Sequence, residues 1–252
     1  MNVTKIYGHR GCKGNYPENT LLSFYHAILQ GVDGLELDVH LTKDGEIVVI
    51  HDELLDRTTD GKGFIKDYHL KEIKQLSAGI KFSNYERYEH SWMLETVPTL
   101  KEVLDLLAPF DIELNIELKT NVFTYEGIEE KIVSVVKEYG NQRKVVYSSF
   151  HLPTILRIKE ADKTANIAWL LNQPIVNPRD YMDTLELESL HVNKSIILKD
   201  QENWKHMKES IRLWTVNDEN ELRKLIEMDV ETIITDFPEE ALSIRGESKV
   251  GQ

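Results

Sequence analysis

A closed (β/α)8 barrel of the TIM type is the fold this sequence predicts, and three observations predict it. Strand-like and helix-like runs alternate along most of the chain. With Ile47–Ile50 set aside as an extra hairpin arm, eight strands remain, beginning near residues 5, 34, 112, 144, 166, 189, 211 and 232. The length, 252 residues, matches one such barrel. An open doubly wound sheet is the alternative. No Gly-x-Gly-x-x-Gly follows the first strand, which removes its usual dinucleotide-binding version.

The elements follow in order. Lys5 to Gly8 is a short strand, with His9-Arg10-Gly11 at its C-terminal end. Pro17-Glu18-Asn19-Thr20 begins a helix over 20–30, with Asn19 as the expected N-cap and Gly31 as the stop. From Gly34 the second strand alternates strictly. Leu35, Leu37, Val39 and Leu41 point one way; Glu36, Asp38 and His40 point the other. A turn at Lys43-Asp44-Gly45-Glu46 leads into Ile47–Ile50 and then His51-Asp52. Pairing Thr42 with Ile47 would set Asp38 opposite His51.

Residues 52–97 read as an insertion within a single barrel domain spanning 1–252, because they are too long for a plain connection. Asp67 is the expected cap of a short helix carrying Leu70, Ile73 and Leu76. Phe82, Tyr85, Tyr88 and Trp92 are expected to pack the insertion onto the barrel. Regular alternation then resumes. Thr99 and Glu102 form a capping box for helix 100–107. Helices are expected over 125–139, 153–160, 178–185, 200–207 and 218–227, the last capped by Asn217. A short final helix follows Asp236-Phe237-Pro238.

Composition narrows the function. The 30 basic and 43 acidic residues give a net charge of −13, which argues against non-specific nucleic-acid binding. No apolar run reaches membrane-spanning length, so no stable membrane insertion is expected. One cysteine, Cys12, leaves no intrachain disulfide, and a reduced, cytoplasmic setting is the simplest reading.

In a barrel the chemistry lies at the C-terminal ends of the strands. The residues there are His9, Arg10, Glu36, Asp38, His51, Asp52, Glu117, Lys119, Ser148, Ser149, Trp214 and Asp236. Glu36, Asp38 and Glu117 give three inward carboxylates, which repel one another unless a cation sits between them. An all-oxygen set favours a hard divalent ion, Mg²⁺ or Ca²⁺. The competing explanation is internal ion pairing with Arg10 and Lys119. His9 and His51 are the pair that titrates near neutral pH, suited to taking and giving a proton. His40 shares the carboxylates' face and is the weaker candidate. Arg10 and Lys119 suit phosphate oxygens.

The ordered set of motifs resembles the glycerophosphodiester phosphodiesterase family. It comprises His9-Arg10-Gly11, Pro17-Glu18-Asn19-Thr20, Glu36-x-Asp38-Val39, Leu41-Thr42-Lys43-Asp44-Gly45 and His51-Asp52. It continues through Arg57-Thr58-Thr59-x-Gly61, Val97-Pro98-Thr99-Leu100, Asn115-x-Glu117-x-Lys119, Trp214-Thr215-Val216-Asn217 and Ile233-Ile234-Thr235-Asp236-Phe237-Pro238. The chain departs from the family pattern at Asp229, Glu231 and Thr232. The resemblance implies a TIM barrel with a small insertion after the second strand. It implies a divalent metal on Glu36, Asp38 and Glu117 and acid/base catalysis by His9 and His51. It also implies phosphate or glycerol contacts from Arg10 and Lys119, with Trp214 on the substrate side. The partner is then a small glycerophosphodiester, and the products are glycerol 3-phosphate and an alcohol, formed by way of a cyclic phosphate. Two other readings remain open at this point. One is a lysophospholipase D or sphingomyelinase D-like phosphodiesterase; the other is a non-catalytic barrel that binds a phosphorylated ligand.

Overall fold

The computed structural model describes residues 3–250. Its sheet closes on itself. The strands are β1 (Lys5–His9), β2 (Gly34–Leu41), β3 (Ile47–Val49), β4 (Glu113–Leu118), β5 (Val145–Ser149), β6 (Asn166–Leu171), β7 (Ser189–Asn193), β8 (Ile211–Trp214) and β9 (Thr232–Thr235). β1 pairs in parallel with β9 through Ile6 and Ile233, and with β2 through Gly8 and Leu35. Eight parallel strands thus form a ring, and β3 hangs antiparallel on the outside of β2. This is the TIM barrel that the alternation predicts.

The β2–β3 register differs by one residue from the sequence expectation. His40 pairs with Val48, and the Ile50 amide donates to the Asp38 carbonyl at 3.0 Å. The turn sets this. The Thr42 amide donates to the Glu46 carbonyl at 3.0 Å, so residue 42 faces 46 rather than 47. Gly45 makes that tight closure possible at φ 77°, a region L-residues rarely enter. Ile50 is therefore turned into a small apolar cluster with Leu55, Ile65 and Val97. His51 lies beyond the paired residues, so the loop places its side chain, not the pleat.

Around the ring lie α1 (Leu21–Gln30), α2 (Leu70–Ile73), α3 (Leu100–Leu107), α4 (Ile128–Tyr139), α5 (Leu152–Ala161), α6 (Pro178–Leu185), α7 (Lys194–Lys199), α8 (Gln201–Trp204), α9 (Glu219–Glu227) and α10 (Pro238–Val250). Their apolar faces meet the outward residues of the strands. Leu35, Leu37, Val39, Leu114, Ile116 and Leu118 are all fully buried in one core with Phe24, Val103 and Ile132. Phe82 and Trp92 join the same core, so the aromatics after β3 do pack onto the barrel.

Several helix starts differ from the sequence reading. Thr20, not Asn19, caps α1, its hydroxyl accepting from the Ser23 amide. Asp218, not Asn217, caps α9, accepting from the Glu221 amide. Asp67 ends a 3-10 turn (Ile65–Asp67), and His69 occupies the N-cap of α2. In each pair the neighbouring polar residue takes the cap. Asn19 and Asn217 are thereby released for the site, as described below. The helix expected over 200–207 is instead α7, α8 and a 3-10 run (Lys205–Ser210), because Asn193 starts the helical segment early. The capping box of Thr99 and Glu102 on α3 is as predicted. Asp229, one of the departures from the family pattern, takes φ 54°, which an aspartate tolerates better than most residues.

The two ends of the barrel differ. At the N-terminal end, Arg212 is fully buried; it bridges Glu188 and Glu231 at 3.1 Å each and reaches Tyr7 at 3.3 Å. An ion-paired cluster occupies that end. The C-terminal end carries the cavity.

Candidate active site

The cavity at the C-terminal end has a volume of ≈ 100 Å³. One wall is polar: His9, Arg10, Glu36, His51, Glu117 and Lys119. The other is apolar: Phe150, Leu170, Trp214 and Ile234. Of the residues expected to hold a metal, move a proton or contact substrate, His9, Arg10, Glu36, His51, Glu117, Lys119 and Trp214 thus line one space, and Asp38 is fully buried.

Parallel register brings the carboxylates together. Asp38 on β2 pairs with Glu117 on β4, and Glu36 lies one inward position below Asp38. One carboxylate oxygen from each of the three lies within 4.8 Å of the others. Their electrostatics are those of crowded like charges. Burial, and then the Asp38 charge, push Glu36 well above the ordinary carboxylate range. Burial also raises Glu117, against the pull of Lys119. Burial acts the same way on Asp38, but Lys119 and Arg10 outweigh it and hold that carboxyl well below its usual range. Lys119 Nζ stands 2.9 Å from Asp38 Oδ1 and 2.5 Å from Glu117 Oε1.

This set fits a hard divalent cation. It offers only oxygen, it is buried, and its members disfavour each other's charge. The internal pairing weighed against a metal is also present: Lys119 and Arg10 offset part of the set's charge.

The two imidazoles are presented alike. His9 Nδ1 lies 2.5 Å from Asp236 Oδ1, and His51 Nδ1 lies 2.6 Å from Asp52 Oδ1. Each histidine gives Nδ1 to a carboxylate, so Nε2 is the ring nitrogen outside that contact. Asp236 is itself fixed: Asn217 Nδ2 donates to its Oδ2 at 2.8 Å, and Asn217 Oδ1 accepts from its amide at 3.0 Å. Burial would raise the Asp236 carboxyl, but the His9 hydrogen bond lowers it to about 2.

The turn after β1 sets His9 and Arg10 at this height. Arg10 takes φ 52° and Gly11 φ 85°. A Cβ at Gly11 would come within 2.4 Å of Ser23 Oγ, so only glycine fits. The Arg10 amide donates to Glu36 Oε2 at 3.0 Å, its Nη1 to Glu18 Oε1 at 2.7 Å, and its Nε lies 3.1 Å from Asp38 Oδ2. Asn19, freed from capping, donates to Asp38 Oδ2 at 2.9 Å. Trp214 Nε1 donates to the His191 carbonyl, and its ring stands edge-on to Phe150 at 5.5 Å.

His40 is buried behind the site and does not line the cavity. Its Nε2 lies 3.0 Å from the His51 carbonyl and its Nδ1 2.9 Å from the Tyr125 hydroxyl. Ser149 is not presented to substrate either; its hydroxyl donates to the Leu118 carbonyl at 2.8 Å. In the sequence Asp52 and Asp236 read as strand-end residues without a role, Asn217 reads only as a helix cap, and Glu18 has no role. Their signal was adjacency to motif residues, which does not say which side chain turns inward.

A sequence profile of the Glycerophosphoryl diester phosphodiesterase family matches residues 9–240. A glycerophosphodiester phosphodiesterase of Bacillus altitudinis is 39% identical over 98% of this chain and 100% of its own. One from Caldanaerobacter subterraneus subsp. tengcongensis is 40% identical over 96% of this chain and 97% of its own. Among solved structures, an Oleispira antarctica phosphodiesterase in complex with the product sn-glycerol-3-phosphate superposes with a TM-score of 0.85. It is 29% identical, with 96% of each chain covered. With the barrel, the carboxylate set and the two imidazoles in place, this chain belongs to the glycerophosphoryl diester phosphodiesterase family and is an enzyme of that activity.

Proposed function

We propose that the enzyme hydrolyses glycerophosphodiesters to glycerol 3-phosphate and an alcohol by histidine acid/base catalysis, with a divalent cation on Glu36, Asp38 and Glu117. The observation that carries this reading is the presentation of His9 and His51, each with Nδ1 on a carboxylate, in the cavity that the carboxylates line. When bound, the cation would neutralise phosphate charge and acidify the neighbouring glycerol hydroxyl.

The chain's own residues do the rest. Arg10 and Lys119 sit on the polar wall and offer positive charge to the phosphate oxygens. Trp214 and Phe150 give the glycerol carbons an apolar wall. One imidazole takes the proton of the glycerol hydroxyl through Nε2 as that oxygen bonds to phosphorus. The other gives a proton to the leaving alcohol oxygen as its bond to phosphorus breaks. The product of this step is a cyclic glycerol phosphate. Water then opens the ring with the two imidazoles in exchanged roles, which restores both protonation states.

The test is release of glycerol 3-phosphate from glycerophosphocholine, with added Mg²⁺ or Ca²⁺ and after chelation. Chelation is expected to abolish turnover and the ion to restore it. Full turnover in metal-free enzyme would sink the carboxylate assignment. Phosphorus NMR under single turnover should show the cyclic phosphate; direct appearance of glycerol 3-phosphate alone would remove that step.

A further inference from the structure

The Arg57-Thr58-Thr59-x-Gly61 motif takes no part in the chemistry described so far. Its geometry gives it one. Arg57 lies after β3 with its guanidinium between two carboxylates. Nε and Nη2 donate to Asp52 at 2.6 and 3.0 Å. Nη1 and Nη2 donate to Glu18 at 2.8 Å each. All three nitrogens are engaged, in two bidentate pairs. Beyond Asp52 lies His51 Nδ1; beyond Glu18 lies Arg10, whose Nε reaches Asp38.

We propose that Arg57 is a positioning residue of the diesterase site: its fork fixes Asp52, and through Asp52 the His51 imidazole, against the buried Glu18. The inference rests on the diesterase reading and goes beyond it by assigning what holds His51 in place.

The need for such a residue is visible. The Asp52 and His51 side chains are 29% and 31% exposed, so an unassisted carboxylate there would rotate into water. Glu18 is 3% exposed and is the anchor. Arg57 is 46% exposed, so water screens its charge attraction, and what it contributes is direction. Lysine cannot reproduce this, since one ammonium does not span two carboxylates as a planar fork does.

The rest of the motif keeps the loop rigid. Thr59 Oγ1 donates to the Leu55 carbonyl at 2.7 Å and accepts from the Gly61 amide at 3.0 Å. A Cβ at Gly61 would come within 2.5 Å of Leu76 Cδ1. The guanidinium is thus held out from a loop with little freedom.

The experiment compares the parent enzyme, R57A and R57K on glycerophosphocholine with a saturating divalent ion, following release of glycerol 3-phosphate. R57A is expected to lose about 10- to 100-fold in kcat, the scale of an orienting partner, with KM near the parental value. Millimolar guanidinium, far below denaturing levels, is expected to restore part of that loss. R57K should recover less than guanidinium does, because the fork is missing. Parental kcat in R57A or R57K overturns the inference. So does a loss expressed in KM, which would make Arg57 a direct phosphate contact. A loss that guanidinium leaves in place in a variant that still melts cooperatively also overturns it. Absence of turnover in the parent would instead overturn the diesterase reading, and this inference with it.

Discussion

His9 Nδ1 and Asp236 Oδ1 lie 2.5 Å apart and join the ends of the first and last strands of the barrel. The His9 imidazole is thereby oriented by the same seam that closes the ring. Asn217 donates its amide to the other Asp236 oxygen. In Asp236→Asn the new amide NH₂ cannot face that donor, so it turns toward His9 and opposes the Nδ1–H tautomer. A loss of about 10²- to 10⁴-fold in kcat is expected, the scale of general acid–base catalysis. Steady-state kinetics on a glycerophosphodiester check it, and turnover near the parent's would show that the pair does not orient His9.

The carboxylate set makes a prediction that does not depend on turnover. An ion that binds only the folded state raises stability, by about 2.7 kcal/mol at a hundredfold excess over Kd. Thermal melts in Mg²⁺ or Ca²⁺ should therefore move upward. Glu117→Gln removes one of the three carboxylate charges while keeping shape, and is expected to lose much of that shift. An equal shift in parent and variant would place the ion elsewhere.

Much of this site is legible in the sequence, for a local reason. On β2 and β4 a period of two sends Glu36, Asp38 and Glu117 inward, and parallel register aligns Asp38 with Glu117. Strand periodicity is short-range, so it survives reading from one chain. What was misread depends on choices between neighbours. Asn19 and Thr20 are both good caps, as are Asn217 and Asp218. Which one caps is decided by Asp38 and Asp236, residues distant in sequence. The Asp38–His51 pairing failed because the Thr42–Glu46 closure is one residue tighter than supposed. The site survived that slip because His51 lies past the end of β3. The Arg57 clamp was not legible at all, since its partners come from two separate segments.

His40 supports the site from behind. Its ring accepts from the Tyr125 hydroxyl at Nδ1 and donates from Nε2 to the His51 carbonyl. Burial lowers its pKa to about 4, so the ring is neutral at pH 7. Glutamine can also donate to that carbonyl; leucine cannot. His40→Leu should cost about 1–3 kcal/mol of stability, the scale of a buried group left without its partner. His51 should shift with it and kcat should fall. His40→Gln is expected to recover most of both. Melting temperature and kcat measured together decide the matter, and equal behaviour of the two variants would remove the hydrogen bond as the cause.

His191 yields a prediction about pH. It is fully buried inside the barrel, and neither ring nitrogen has a hydrogen-bond partner among the described residues. Burial, with the nearby Arg212 charge, holds its imidazole well below the ordinary 6.5. In the unfolded chain the same ring takes a proton near pH 6.5. The unfolded state therefore binds the extra proton first as pH falls. The stability associated with the neutral ring is fully present above pH 6.5 and declines below it, until the folded-state pKa is reached. The slope approaches about 1.4 kcal/mol per pH unit. His191→Gln removes the proton site without removing polarity. The difference in unfolding free energy between parent and variant should then change with pH below 6.5 and level off above it. Urea titrations from mildly acidic to mildly alkaline pH measure this. A difference that stays constant across the range would mean that His191 is protonated as easily inside the barrel as in the unfolded chain.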